Sequence, residues 1–156
     1  MEKKGSHHNA LDVARWFFRR NNAEAVLNEA DDISNLKLQK LLYYAQGICL
    51  AMTGSVLFDD DIVAWQHGPV VVSVYDKYCS YGRQGITYND DMEPQEVYTV
   101  IEEDVLEKVY GYFGQFSAWK LRNMTHEEAP WQNTAKNHVI STALIKDYFE
   151  RHYVTE

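Results

Sequence analysis

The sequence predicts a mainly α, single compact domain of about six helices around a central helix, with one small β element. Two observations carry this. Between Ser34 and Gly54 the residues Leu38, Leu41, Leu42, Ala45, Ile48, Cys49 and Met52 recur at three- and four-residue steps, the spacing that lines up one helical face. Both ends of that stretch are also written locally, with Ser34 as N-cap, Ile33 and Leu38 as a hydrophobic staple, and Gly54 as a C′ stop. A chain of 156 residues that is 46% hydrophobic and 13% aromatic is long enough to bury one core.

In chain order, Asn9 caps a first helix predicted to run to about Arg20 and to end at Asn21-Asn22. Leu11, Ala14, Phe17 and Phe18 form its apolar side, with Asp12, Arg15 and Arg19 at salt-bridge spacing outside. The acidic link through Asp31-Asp32 precedes the central helix, where the helix dipole favours negative charge. Within that helix Lys37, Lys40, Tyr44 and Gln46 fall mostly away from the apolar row. Its uncharged run ends near Met52, short of the roughly 20 residues a bilayer requires, so it reads as a core helix and not a membrane span. After Gly54 the tripeptide Asp59-Asp60-Asp61 is a turn leading into a short strand over Ile62 to Trp65. Gly68 permits a turn, and Pro69 suits a first helical position, which predicts a helix over 70–81 with Val71, Val74, Tyr75 and Tyr78 near one face.

A connection over Arg83 to Glu93 holds a small strand at Ile86 to Tyr88. The next helix is predicted over 94–113, with Val97, Ile101, Val105, Leu106, Val109 and Phe113 apolar. Gln115 to Met124 forms a further helix offering Phe116, Trp119 and Leu121 to the core. Thr125-His126-Glu127-Glu128 has capping-box spacing, and Pro130 and Trp131 follow within the first turn. Ser141 caps the last helix, with Ile140 and Ile145 as staple and Ala143, Leu144, Tyr148, Phe149 and His152 inward or lateral. The domain is expected to span 9–153, with 1–8 an N-terminal tail of partly tag-like character.

Composition narrows the function. The net charge of -8 argues against direct nucleic-acid binding and against an anionic membrane, because Lys and Arg contacts to phosphate dominate such affinity. Residues 1 to 50 hold seven Lys/Arg against six Asp/Glu, a balance of +1, so the remaining residues carry -9 of the net -8. Arg15, Arg19, Arg20, Lys37 and Lys40 form at most a modest basic patch that nearby acids offset. Cys49 and Cys79 are not in a C-x-x-C pair and read as reduced small hydrophobes of a cytoplasmic protein. His67, His126, His138, Glu127 and Glu128 contain no H-E-x-x-H, and no G-x-S-x-G or phosphate-binding loop appears, so no catalytic residue, metal or cofactor is implied. Eleven Tyr and four Trp exceed what a core of this size requires and suggest a binding surface, with Tyr43, Tyr44, Trp65 and Trp131 as candidates.

The same punctuation forms an ordered set: Asn35-Leu36-Lys37-Leu38-Gln39-Lys40-Leu41-Leu42-Tyr43-Tyr44-Ala45-Gln46-Gly47, then Leu57-Phe58, Ala64-Trp65-Gln66-His67-Gly68-Pro69-Val70, Val74-Tyr75, and Thr125-His126-Glu127-Glu128-Ala129-Pro130-Trp131. This resembles the Panacea domain family of SocA-like or GepA-like phage-associated antitoxins, over about Ala10 to Phe149. The resemblance implies a helical antitoxin that neutralises a toxin encoded beside it by direct binding. The runner-up is a prophage-borne adaptor or regulator that binds a host protein, for example delivering a client to a protease; a metal-dependent enzyme comes third. The family supplies no accepted catalytic residues. The candidate partner-binding or motif positions are therefore Lys37, Gln39, Lys40, Tyr43, Tyr44, Gln46, Trp65, His67, Gly68, Pro69, Tyr75, Thr125, His126, Pro130 and Trp131. Exposure of Lys37, Lys40, Tyr43 and Tyr44 beside Trp65 and His67 would mark a partner surface, whereas burial would make the motif a record of the fold.

Overall fold

The protein was analysed as a computed structural model that describes residues 8–154. Seven α-helices are present among these residues. Helix α1 spans Ala10–Asn28, α2 Asn35–Thr53, α3 Val72–Tyr78, α4 Val100–Phe113, α5 Ala118–His126, α6 Ala129–Gln132 and α7 Thr142–His152. Two small antiparallel ribbons complete the fold. In one, β1 (Ile33–Ser34) pairs with β4 (Gly85–Ile86); in the other, β2 (Val63–Trp65) pairs with β3 (Gly68–Val70).

Helix α2 is the axis of the molecule, packed by α1, α3, α4, α5, α7 and β3. Its boundaries follow the local signals: the Ser34 hydroxyl accepts from Lys37 N, and Gly54 sits at φ 80°, where a side chain would be strained. Burial extends all round the helix from Leu38 to Leu50. Only its end escapes, so Met52 is 40% exposed and is not part of the core row. Gly47 is required for the tightest contact along it. The Phe149 ring of α7 packs over this position, and an added Cβ would lie 2.4 Å from the ring carbons. Gly47→Ala is therefore expected to destabilise by about 1–3 kcal/mol, the usual range for overpacking, even though alanine is the better helix former. A urea midpoint equal to or above the parent value would contradict this packing.

Several sequence expectations are corrected. Helix α1 does not end at Asn21-Asn22 but continues to Asn28, where Glu29 adopts φ 59°. Asn21 is held inside the fold, donating to Asp31 O and accepting from the Tyr110 hydroxyl, so tertiary partners outweigh its weak helix propensity. Asp12 is not outside: it is 2% exposed and accepts from Gln95 N, Glu96 N and the Tyr98 hydroxyl. Pro69 does not begin a helix. It lies in β3 opposite Ala64, with Gln66 and His67 as the turn, and α3 starts only at Val72. A 3-10 turn over Cys79–Tyr81 follows α3, and Cys79 is exposed while Cys49 is buried.

Helix α4 begins at Val100, not 94, because Thr99 and Glu102 form a reciprocal capping box. Val97 and Ile101 are consequently exposed, at 91% and 54%. Trp119 is also exposed, at 55%, and not in the core, since α5 is capped by Ser117 and turns Leu121 inward. The last helix keeps its predicted Ser141 cap and its buried Ile140 and Ile145, while Ala143 and His152 face solvent. Arg19 pairs with Glu93, and Arg20 with Glu24 and Glu107, as the offset basic patch requires. At the N-terminal end His8 is buried, with its ring nitrogens on Glu96 and Glu102. Residues 1–7 of the predicted tail lie outside the described residues.

Candidate functional site

The motif residues of α2 divide by what they touch. Most are buried polar groups that satisfy the backbone of neighbouring segments, which carry unpaired amides and carbonyls wherever they are not helical or paired. Gln46 accepts from Leu57 N and Phe58 N and donates to Phe58 O, pinning the return loop after Gly54. Gln39 accepts from Val71 N and donates to Asn35 Oδ1, and Asn35 donates to Tyr75 O, so this pair holds both ends of the entry into α3. Lys37 is half-buried and its Nζ donates to Gly114 O at the end of α4, 2.7 Å away.

Lys40 is fully buried. Its Nζ donates to Pro69 O at 3.0 Å, satisfying the carbonyl of a residue that has no N–H of its own. Burial, reinforced by the nearby charge of Arg122, lowers the lysine pKa to about 7. The close approach also explains Gly68. At φ 110° it is in a region side chains avoid, and a Cβ there would stand 2.7 Å from Lys40 Cε and 2.8 Å from Thr125 Oγ1.

Glu128 is the hub of a second cluster. Its Oε1 accepts from the Tyr43 hydroxyl at 2.9 Å, and its Oε2 accepts from Tyr44 at 3.0 Å and from Tyr153 in a short bond. Tyr43 and Tyr44 come from α2, Tyr153 follows α7, and Glu128 is 3% exposed. Burial raises the carboxyl pKa, against the lowering effect of the three hydroxyl donors. The capping-box reading of Thr125 to Glu128 is thereby overturned. Thr125 lies inside α5 with its hydroxyl donating to Arg122 O, and the Glu128 carboxylate faces three tyrosines and not a helix terminus. Pro130 is buried in the first turn of α6 as expected. Trp131 donates its indole N–H to Trp65 O at 2.7 Å and stacks on His126, with ring centroids 4.0 Å apart and planes 6° from parallel. Burial, with the charge of Arg122, lowers the His126 pKa, and its Nε2 has no hydrogen-bond partner among the described residues.

Lys40, Tyr43 and Tyr44 are each fully buried, so of the two alternatives these positions of the motif record the fold. The accessible chemistry lies where the β2–β3 turn meets α5. There Gln66 and His67 are exposed, Arg122 Nε donates to His67 Nδ1 at 3.3 Å, and the Arg122 guanidinium lies 4.4 Å above the Trp119 ring. Trp65 and Tyr75 meet edge to face at 5.1 Å. Trp65, Gln66, His67, Tyr75 and Trp119, with Leu36, Arg83 and Asn137, line a cleft of about 980 Å³ to which α2 contributes Asn35 and Gln39, and Arg122 stands beside it on His67 and Trp119. Of the predicted positions the structure brings Gln39, Trp65, His67 and Tyr75 to this cleft, while Lys40, Tyr43, Tyr44 and Gln46 serve the core. Trp119, Arg122 and Arg83 were missed by the sequence reading. The exposed tryptophan on a short capped helix, followed at three residues by arginine, was the available signal.

Among the described residues no three His, Cys, Asp or Glu side chains are grouped to hold a metal ion, and no helix is long and apolar enough to cross a membrane. A family model described as the antitoxin SocA-like Panacea domain matches residues 38–132. That span runs from Leu38 in the first turn of α2, through most of the cleft lining and Glu128, to the end of α6. Searches of curated proteins and of solved structures found no match. The match covers more than half of the sequence, and the chain belongs to the SocA-like antitoxin Panacea domain family.

Proposed function

We propose that this chain is an antitoxin acting in the cytoplasm, that it holds a toxin encoded beside it inactive by direct, stoichiometric binding, and that the domain spans residues 9–153. The observation that carries the direct-binding part is the open cleft with Trp119 half exposed at its rim. An exposed tryptophan stacked on an arginine, in a cleft with a second tryptophan and a tyrosine, is the residue mix that dominates protein interfaces. The buried motif supports it by fixing the positions of the cleft walls. Lys40 ties β3 to α2, and Trp131 ties β2 to α6.

The test is expression of the neighbouring gene's product with and without this chain. Growth should stop when that product is made alone and recover on co-expression, with the two proteins co-purifying. A product that is harmless alone sinks the antitoxin reading. A pulse-chase in the same cells separates masking from delivery to a protease. Masking leaves the lifetime of the toxin unchanged or longer, whereas an adaptor shortens it.

A further inference from the structure

We infer that the cleft takes a carboxylate-rich peptide segment of the protein partner, with its acidic side chains on Arg83 and Arg122 and its apolar ones against Trp65, Tyr75 and Trp119. This rests on reading the cleft as a protein-binding face.

The argument is one of charge placement. The chain carries 23 Asp/Glu against 15 Lys/Arg, yet among the described residues no carboxylate lines this cleft. Among the described residues, three of the four arginines elsewhere, Arg19, Arg20 and Arg151, pair with a carboxylate, and half-buried Arg15 on α1 does not. Arg122 has His67, Asn123 Oδ1 and the Trp119 ring as its neighbours, none of them anionic, and exposed Arg83 makes no ion pair among the described residues. Two guanidinium groups, Arg83 in its lining and Arg122 beside it, are thus left without a carboxylate partner at this aromatic cleft of an acidic protein. Arginine presents a planar fork suited to carboxylates, and aromatic faces beside it accept apolar side chains.

The geometry also decides how such a peptide would be read. Strand addition at the hairpin is blocked. The outer side of β2 is bonded to the 137–140 segment, through Asn137 N to Ala64 O and Ile140 N to Ile62 O, and on β3 Pro69 lacks an N–H while its carbonyl is taken by Lys40. Recognition therefore falls to side chains. A nucleic acid would also present anions, but a long polyanion must run on across a surface whose net charge is -8, whereas a short acidic segment ends within the cleft.

A bead-bound random heptapeptide library probed with the labelled full-length chain tests this without any known toxin. Selected peptides should be enriched in Asp and Glu together with aromatic or leucine residues. Their binding should weaken at least tenfold in Arg83→Glu and Arg122→Glu and fall with added salt. Arg151→Glu, an equal charge change on α7, should leave it unchanged, and thermal melts should show each variant folded. No selection, selection of neutral or basic peptides, equal binding by folded Arg83→Glu, or tighter binding of a labelled 12-nucleotide single strand overturns the inference. If acidic peptides are selected but the neighbouring product proves harmless, the antitoxin reading fails and this inference stands. If Arg83→Glu/Arg122→Glu is folded and still neutralises a genuine toxin, this inference alone fails.

Discussion

Replacing Glu128 with alanine is expected to destabilise the protein by about 2–6 kcal/mol, taking about 1–3 kcal/mol for each hydroxyl left without an acceptor in the fully buried pair Tyr43 and Tyr44. Tyr153 is only half-buried and can turn to water, so its share is small. Against a typical total of about 5–15 kcal/mol, such a loss is enough to leave the chain partly unfolded at 37 °C. Glu128→Gln should be much milder. The amide carbonyl still offers two acceptor sites, and the amide N–H can donate to a tyrosine oxygen. The pair of variants also has a pH signature. Burial raises the Glu128 pKa, so its native state holds the proton more tightly than the unfolded chain. That contribution is fully present below the ordinary carboxylate range and is lost as pH rises through the native value. The parent should therefore gain stability relative to Glu128→Gln on acidification. Urea midpoints for the three proteins across pH 4 to 7 measure both effects; an alanine variant within about 0.5 kcal/mol of the parent would remove Glu128 as the hub of this core.

The same residue shows where sequence reasoning works and where it stops. Thr99-Val-Ile-Glu102 and Thr125-His-Glu-Glu128 have identical spacing, and only the first forms a capping box. The difference lies 84 and 85 positions away in sequence, in two tyrosines of α2 whose hydroxyls capture Glu128 first. The caps of α2 and α7 were legible because Ser34, Gly54 and Ser141 act on their own turns. Asp12, Asn21 and Pro69 were misplaced because their partners lie on other elements: the 95–98 segment, Tyr110 with Asp31, and the Ala64 strand with Lys40. The cleft shares that limit. Its walls come from α2, the hairpin turn, α3 and α5, and no periodicity within one segment reports that Trp119 and Arg122 meet His67. What the ordered motif did convey was the set of buried stitches that bring those walls together, which is why the family could be recognised while its accessible surface could not.

Lys40→Met should change the pH dependence of stability strongly between about pH 7 and 9.5. Methionine keeps an unbranched chain of similar length, so it fills the space between α2 and β3. It loses the bond to Pro69 O, which costs about 1–3 kcal/mol at every pH. The lysine itself behaves differently with pH. Its native pKa is about 7, against 10.5 for the ordinary side chain, so between those values the unfolded chain binds the extra proton. Stability of the parent therefore rises with pH across that window, and below about pH 7, where both states are protonated, the contribution is flat and least favourable. From pH 7 to 9.5 the gain relative to Lys40→Met is expected to reach about 3 kcal/mol, at about 1.36 kcal/mol per pKa unit. The buried tyrosines Tyr43 and Tyr44, whose pKa values are raised chiefly by burial, act in the opposite direction at higher pH but are common to both proteins and cancel in the difference. Parallel stability curves for parent and variant between pH 6.5 and 9.5 would show that Lys40 keeps its proton inside the fold; a parent that overtakes the methionine variant as pH rises would place a neutral amine against Pro69.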